Sequence, residues 1–280
     1  MKILNGAELA GFIKERQAKQ VRALRQNHGV NPKLAIIRTN PNPVVDSYMR
    51  IKKEYGTDIL IDVDVHSVVQ SQAVDTIRKL NDDPSVHGII VQIPLPDPSQ
   101  SDEILNSVSA LKDVDGLAEK SEFDCPTPIA INWLLAGYNI DMEDKRIVVV
   151  GHGRLVGAPL TRMWRNSGLQ VEAADRSTQN LAALLRDTDI VVTATGKPGL
   201  ITKNMLKVEA IVVDAGVSTD SNGLVGDVAD DVRERDDLTI TPVKGGVGPL
   251  TVSALFDNVI RAARAGIGKD ARQTTFRHAK

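Results

Sequence analysis

The sequence predicts an α/β protein of two domains, each a parallel sheet covered by helices. Three observations carry that expectation. Short apolar runs alternate with amphipathic stretches along most of the chain, the pattern of right-handed β-α-β crossovers. A glycine-rich turn, Gly151 to Gly157, follows one of those runs and opens a helical stretch. A length of 280 residues leaves room for two modest cores.

Residues 7–27 set Leu9, Phe12, Ile13, Val21 and Leu24 among charged and amide side chains, the spacing of an amphipathic helix. A short apolar run at 34–37 reads as a strand. Asn40-Pro41-Asn42-Pro43 ends it, because proline pre-sets φ and asparagine tolerates turns. A helix is expected over 44–55. Further strands are expected at 59–65, 88–93, 146–150, 170–174, 190–194, 210–214 and 238–241, with helical patterns between most of them. Two prolines bracket a threonine in Cys125-Pro126-Thr127-Pro128, ahead of an apolar helix at 129–136, and the first crossing between domains is placed there. A last helix, about 250–265, is expected to return to the first domain.

Composition narrows the function classes. There are 34 Lys and Arg against 36 Asp and Glu, a net charge of -2, so no long-range field draws in nucleic acid or an anionic membrane. A small-molecule partner is the expectation. The single cysteine, Cys125, precludes an internal disulfide framework and fits a reducing compartment, with the cytoplasm as the simplest address. No apolar run approaches a bilayer span, and the first residues lack the apolar core of a signal peptide. His66, His87, His152 and Cys125 show no metal-ligand spacing, so no metal is expected.

Residues 146–150, Arg-Ile-Val-Val-Val, run into Gly151-His152-Gly153-Arg154-Leu155-Val156-Gly157 and then into an apolar-periodic helix. A dinucleotide needs such a turn: backbone N–H groups must approach the pyrophosphate, and the helix N-terminus adds partial positive charge. An ordinary tight strand-to-helix turn has the same glycine requirement, and the spacing here is G-x-G-x-x-x-G. Asp175 ends the next strand a little over twenty residues later, where a Rossmann-type fold places its ribose-binding carboxylate. An acid there favours NAD and repels the 2′-phosphate of NADP. Arg176, its neighbour, pulls the other way or is a solvated loop charge. Thr195-Gly196 and Gly216 follow two later strands and are small enough to line a cofactor cleft.

In the first domain Tyr48 and Lys52 lie four apart on a predicted helix, so they share one face. An aromatic ring packed on an aliphatic stem has the same spacing. Gln92, near the end of a buried strand and followed by Ile93-Pro94-Leu95-Pro96, needs hydrogen-bond partners, and a lysine amine can be one.

These motifs carry a resemblance. Tyr48-x-x-x-Lys52, Val91-Gln92-Ile93-Pro94-Leu95-Pro96, Lys112-Asp113-Val114-Asp115-Gly116 and Pro242-x-Lys244-Gly245-Gly246-Val247-Gly248-Pro249-Leu250-Thr251 stand in the order found in the methylenetetrahydrofolate dehydrogenase/cyclohydrolase family. The chain resembles that family over nearly its whole length. The resemblance implies an N-terminal α/β substrate domain and a Rossmann-type dinucleotide-binding domain with a cleft between them. It places residues 1–124 with 250–280 in the folate-binding catalytic domain and 125–249 in the NAD(P)-binding domain.

The implied activity is oxidation of 5,10-methylenetetrahydrofolate with NAD(P), followed by hydrolysis of the methenyl product to 10-formyltetrahydrofolate. Lys52 is then the implied general base, Gln92 orients it, Tyr48 stacks on or positions the folate, and Asp115 accepts hydrogen bonds from the pterin. Gly246, Pro249 and Thr251 are implied to touch substrate. Gly151, His152, Gly153, Arg154, Val156, Gly157, Asp175, Arg176, Thr195, Gly196 and Gly216 are implied to hold the cofactor. The family also implies a homodimer.

The chain departs from the family pattern at three places. His152 and Gly153 replace an arginine and a serine, Asp175-Arg176-Ser177-Thr178 replaces His-Ser-Arg-Thr, and Val45 replaces a serine three residues before Tyr48. The family favours NADP whereas Asp175 points to NAD, so the cofactor is expected to be one or the other. Two other readings share the architecture: a shikimate-dehydrogenase-like oxidoreductase and a non-catalytic dinucleotide-binding regulator. Neither accounts for the Gly-Gly-Val-Gly-Pro-Leu-Thr run together with Tyr48, Lys52, Gln92 and Asp115.

Overall fold

The computed structural model describes residues 1–220 and 223–277. In chain order the elements are β1 (Lys2–Ile3), α1 (Gly6–His28), β2 (Lys33–Arg38), α2 (Pro43–Asp58), β3 (Asp62–Ser67), α3 (Ala73–Asp82), β4 (Gly88–Gln92) and α4 (Ser101–Asn106). They continue with α5 (Pro126–Gly137), β5 (Ile147–Val150), α6 (Gly157–Asn166), β6 (Val171–Ala174), α7 (Leu181–Arg186), β7 (Ile190–Thr193) and β8 (Ile211–Asp214). The last are β9 (Ser218–Asp220), β10 (Gly223–Val225), β11 (Thr239–Ile240) and α8 (Val247–Arg277). Short 3₁₀ turns join several of them. The chain divides into two compact units, residues 1–11 with 127–251, and residues 12–126 with 252 onward.

The second of these is built on a three-stranded parallel sheet in the order β3-β2-β4. Successive side chains of a strand point to opposite faces, and both faces here are apolar. Leu34, Ile36 and Ile90 face one core with Val21, Leu24, Met49, Tyr55 and the α8 residues Leu255, Phe256, Val259 and Ile260. Ala35, Ile37, Ile89 and Val91 face another with Ile77, Leu80, Ile104 and Leu105. The α3 residues Ala73, Ile77 and Leu80 recur at helical spacing and are its buried side. Full burial of each of these large side chains contributes about 1.5–3 kcal/mol relative to exposure.

The other unit carries a six-stranded, all-parallel sheet ordered β1-β11-β8-β7-β5-β6. Its central strands are short Val and Ile runs buried on both sides, as parallel strands between helical layers must be. From β5 the chain goes outward to β6 and then crosses back to β7 on the other flank. That reversal makes a topological switch point at the carboxyl ends of β5 and β7, where ligands bind in such sheets. An antiparallel pair, β9 and β10, belongs to the same unit.

One expectation is corrected. Residues 59–61 do not begin a strand: the amides of Ile59, Leu60 and Ile61 bond back to carbonyls of residues 55–57, and Leu60 takes φ 65°. Ile59 and Ile61 are buried as the apolar lock on the end of α2, so their hydrophobicity mimicked a strand. Residues 1–11, expected in the N-terminal domain, group by contacts with the six-stranded unit. β1 pairs with β11 through Lys2 N to Leu238 O at 2.8 Å and Leu4 N to Ile240 O at 2.9 Å, which ties them to the six-stranded unit.

Candidate active site

In the three-stranded unit the polar side chains gather at the carboxyl ends of the strands. Pro43 opens α2 where its missing N–H costs nothing, and the Asp46 amide returns to Asn42 O at 2.9 Å. One turn of this helix separates half-exposed Tyr48 from Lys52. Gln92 is the last residue of β4, in register with Arg38 of β2. The Lys52 ammonium nitrogen donates to Gln92 Oε1 at 3.0 Å, and Gln92 Nε2 donates to Ile93 O at 3.1 Å, which fixes the amide's orientation. The Ile93–Pro94 bond is cis.

Asp115 enters from the loop that follows α4. That loop is tied down at several points. Ile89 N donates to Lys112 O at 2.7 Å, the Asp113 carboxylate accepts from Ala118 N at 2.9 Å, and Lys112 Nζ donates to the carbonyls of Leu80, Asn81 and Asp83 at 2.7–3.0 Å. Gly116 has φ 67°, and a Cβ there would lie 2.6 Å from Phe123 O, so the turn after Asp115 accepts no side chain. Asn258 of α8, fully buried, donates to Val114 O at 2.9 Å and Asp124 O at 3.0 Å.

Burial pushes the Lys52 amine below the ordinary lysine range, and the charge of Asp115 opposes that shift. Burial pushes Asp115 up to about 6, against the attraction of Lys52 and with a further push from Asp113. A low-dielectric pocket thus holds an amine that gives up its proton more readily than a surface lysine, next to an acid that keeps its own longer. An amine with a lowered pKa beside an acid with a raised one suits proton transfer.

In the six-stranded unit β5 ends in a turn that only glycine permits. Gly151 takes φ 100°, with a Cβ position 2.6 Å from Ala194 O, and the Gly151 carbonyl occupies the space a Cβ on Gly157 would need. Gly153 faces open space. The N-terminus of α6 has no side-chain cap: Ala158 N donates to Gly153 O at 3.1 Å and Pro159 carries no N–H, so the positive end of the helix dipole is what it offers an anion. At the end of β6, Asp175 Oδ1 accepts from Ser177 N at 2.8 Å and from Ser177 Oγ at 2.6 Å. Those bonds, with the nearby His152, hold its carboxyl below the usual range. A bare glycine turn, an uncapped helix end and a fixed carboxylate on the neighbouring strand fit a dinucleotide.

Comparison with known proteins decides the matter. Residues 4–115 match the catalytic-domain model of tetrahydrofolate dehydrogenase/cyclohydrolase, and residues 125–266 match that family's NAD(P)-binding domain. The chain belongs to the tetrahydrofolate dehydrogenase/cyclohydrolase family. It is 35% identical to the bifunctional protein FolD of Staphylococcus aureus, over 96% of this chain and 99% of that one. The bifunctional FolD structure from Campylobacter jejuni superposes with a TM-score of 0.89 at 34% identity, covering 95% of this chain and 99% of that one. The Trypanosoma brucei FolD structure, complexed with NADP and an inhibitor, gives 0.87 at 29% identity, covering 94% and 97%. The chain is accordingly a methylenetetrahydrofolate dehydrogenase/cyclohydrolase with NAD or NADP as its cofactor.

Within this family member the structure brings Lys52 and Gln92 into direct contact, with Asp115 close enough for charge coupling. Gly246, Pro249 and Thr251 fall in the six-stranded unit, and only from Val252 onward does α8 belong with Lys52. The Gly245 carbonyl accepts from Ala7 N at 2.9 Å, and Gly246 O fills the place of a Cβ on Gly6, so this loop is packed against the start of α1. His152, Gly153, Arg154 and Arg176 are exposed around the glycine turn and the end of β6, while Val156 precedes α6. Thr195, Gly196 and Gly216 follow β7 and β8. Sequence reasoning missed Asp227, Thr193 and Asn258. Two glycines close by, Gly216 and Gly226, were the available signal for Asp227, since a Cβ on Gly216 would overlap its carboxylate. Among the described residues no helix is long and apolar enough to cross a membrane, and no His/Cys/Asp/Glu group could hold a metal ion.

Proposed function

We propose that Lys52 is the general base of the cyclohydrolase step and that NAD is the preferred cofactor. The observation that carries the first part is the Lys52–Gln92 hydrogen bond beside Asp115 in a site that lowers the amine's pKa. The bound dinucleotide supplies the hydride acceptor. Loss of hydride from the methylene bridge of the folate leaves an amidinium-like cation. Water adds to its carbon and gives a proton to the neutral Lys52 amine. The adduct's hydroxyl then gives up its proton as the C–N5 bond breaks and N5 takes one up, so the hydroxyl becomes the carbonyl of 10-formyltetrahydrofolate and the only net proton released is the one taken by Lys52. A protonated lysine would add a fixed charge beside the cation and could accept no proton.

Gln92, its amide fixed by Ile93 O, keeps the amine aimed, Tyr48 supports the folate ring system, and Asp115 accepts from the pterin. Gly246, Pro249 and Thr251 contact substrate. Gly151, His152, Gly153, Arg154, Val156 and Gly157 cradle the pyrophosphate, and Thr195, Gly196 and Gly216 leave room for the rest of the dinucleotide. NAD follows from Asp175: a carboxylate held ionised suits a ribose diol and repels a 2′-phosphate, and this outweighs exposed Arg176. A cytoplasmic homodimer supplying formyl units to purine biosynthesis completes the reading, supported by the family resemblance and the lone cysteine.

The test is turnover of 5,10-methylenetetrahydrofolate with NAD and NADP in parallel, following reduced cofactor and methenyl product separately. Preference for NAD, and loss of methenyl hydrolysis in Lys52→Met, are the expected results. Full cyclohydrolase activity in Lys52→Met refutes the base assignment, and preference for NADP refutes the role of Asp175.

A further inference from the structure

Behind the ends of β7 and β8 lies a pair of carboxylates, Asp227 fully buried and Asp214 partly so, that the activity described so far does not use. Asp227 is fully buried, and its Oδ2 accepts from Thr193 Oγ1 at 2.6 Å and from Thr195 N at 2.6 Å. Asp214, the last residue of β8, accepts from Gly216 N at 3.0 Å, Asp227 N at 3.1 Å and Val228 N at 3.0 Å. The Asp214 amide donates to Thr241 Oγ1 at 2.9 Å, and Ala215 N donates to Thr193 O at 2.8 Å. The two acids therefore clasp both strand ends. Glycine stands at the two closest approaches: a Cβ on Gly216 would overlap the Asp227 carboxylate, and one on Gly226 would overlap that of Asp214.

A clasp alone does not need an acid. Asparagine would offer the same carbonyl oxygen to Thr193 and Thr195 without burying a charge. Yet Asp227 Oδ1 is buried with no hydrogen-bond partner, a costly state for a carboxylate oxygen. The strand order suggests what the charge is for. A dinucleotide with its pyrophosphate at the glycine turn after β5 and its adenosine ribose at Asp175 after β6 has its other half directed to the opposite flank, over the ends of β7 and β8. That half carries the nicotinamide ring, which is cationic when oxidised and neutral when reduced.

We infer that Asp227 is a positioning residue that, with Asp214, favours the oxidised over the reduced dinucleotide through its buried negative charge, while holding the Thr195–Gly196 and Gly216 loops in place. The inference rests on the dinucleotide placement proposed above. In a poorly solvated setting a fixed anion discriminates between ligands that differ by one positive charge, and it adds little to parts of the ligand common to both.

Direct binding, read by tryptophan or cofactor fluorescence, tests this with three probes: oxidised dinucleotide, reduced dinucleotide and ADP-ribose, which lacks the nicotinamide. Asp227→Asn is expected to weaken the oxidised form about tenfold more than the reduced form, roughly 1.4 kcal/mol, and to leave ADP-ribose affinity unchanged. Equal weakening of both redox forms, or of neither, overturns the inference and leaves Asp227 a structural clasp. Failure of the underlying placement reads differently, because Asp175→Ala would then leave ADP-ribose affinity untouched. The unaltered protein must also bind the oxidised form at least as tightly as the reduced one. A clear preference for the reduced form overturns the inference even if Asp227→Asn does not fold.

Discussion

At the scale of single residues the site is a problem in proton affinities. Burial lowers the pKa of Lys52 and the charge of Asp115 partly restores it, so the methenyl-hydrolysing rate should rise as pH rises through the lowered lysine pKa. Asp115→Asn removes the charge that favours the ammonium form, so the rise should move to lower pH. A pH–rate profile that does not move refutes the coupling. The same aspartate predicts a stability effect of definite sign. Its folded pKa, about 6, lies above the ordinary 3.8. The stability that this shift contributes is complete below pH ~4 and is lost as pH rises through about 6. Urea midpoints of the unaltered protein should therefore fall relative to those of Asp115→Asn across that window, and a constant difference would contradict the shift. At the other site Asp175→Ala should erode discrimination against NADP by about tenfold or more, measured as the ratio of the two kcat/KM values.

At the scale of elements, the loop that carries Asp115 depends on a helix far away in sequence. Asn258 of α8 donates to Val114 O and Asp124 O, both on that loop. Asn258→Ala leaves the buried Val114 carbonyl unpaired at about 1–3 kcal/mol and removes a donor from the part-buried Asp124 carbonyl. The expected outcome is a lower unfolding midpoint together with a raised KM for the folate substrate, while dinucleotide Kd stays put. A KM that does not change would show that the loop holds its shape without Asn258.

This is also the scale at which legibility in sequence broke down. The central strands of both sheets and the helices α1 and α2 announce themselves by period, because both sheet faces are apolar and the helices have one buried side. β1 has two residues and therefore no period to read, so its pairing with β11 went unseen. Residues 59–61 are apolar because they close a helix, which period alone does not distinguish from a strand start. Tyr48, Lys52, Gln92 and Asp115 were readable as motifs, and the contact between Lys52 and Gln92 is one that residue chemistry anticipates. Asp227 stands alone among Leu224, Val225, Gly226, Val228 and Ala229, with no periodic pattern to mark it as a site. Its burial arises only when β7 and β8 come together, and Gly216 and Gly226 are the trace of that packing in the sequence.

At the scale of the whole molecule, the two units are interleaved along the chain but separately cored. Residues 1–11 belong to the six-stranded unit, the following 115 residues to the other, and the chain returns for residues 127–251 before the rest of α8 closes the three-stranded core. Leu255, Phe256, Val259 and Ile260 are all buried there, with the Phe256 ring stacked 5.0 Å from that of Tyr55. Truncating Phe256 to alanine costs about 3–5 kcal/mol and Ile260 a further 2–5. That is comparable with the ~5–15 kcal/mol that holds a domain together. Phe256→Ala with Ile260→Ala in the full chain should therefore unfold the three-stranded unit at a much lower temperature. The six-stranded unit has its own core of Val148, Val150, Val191, Val212 and Ile240, and should go on binding dinucleotide. Two thermal transitions, with the upper one raised by added dinucleotide and the lower one not, are the expected signature. A single cooperative transition that takes dinucleotide binding with it would mean that the units do not fold as separate cores.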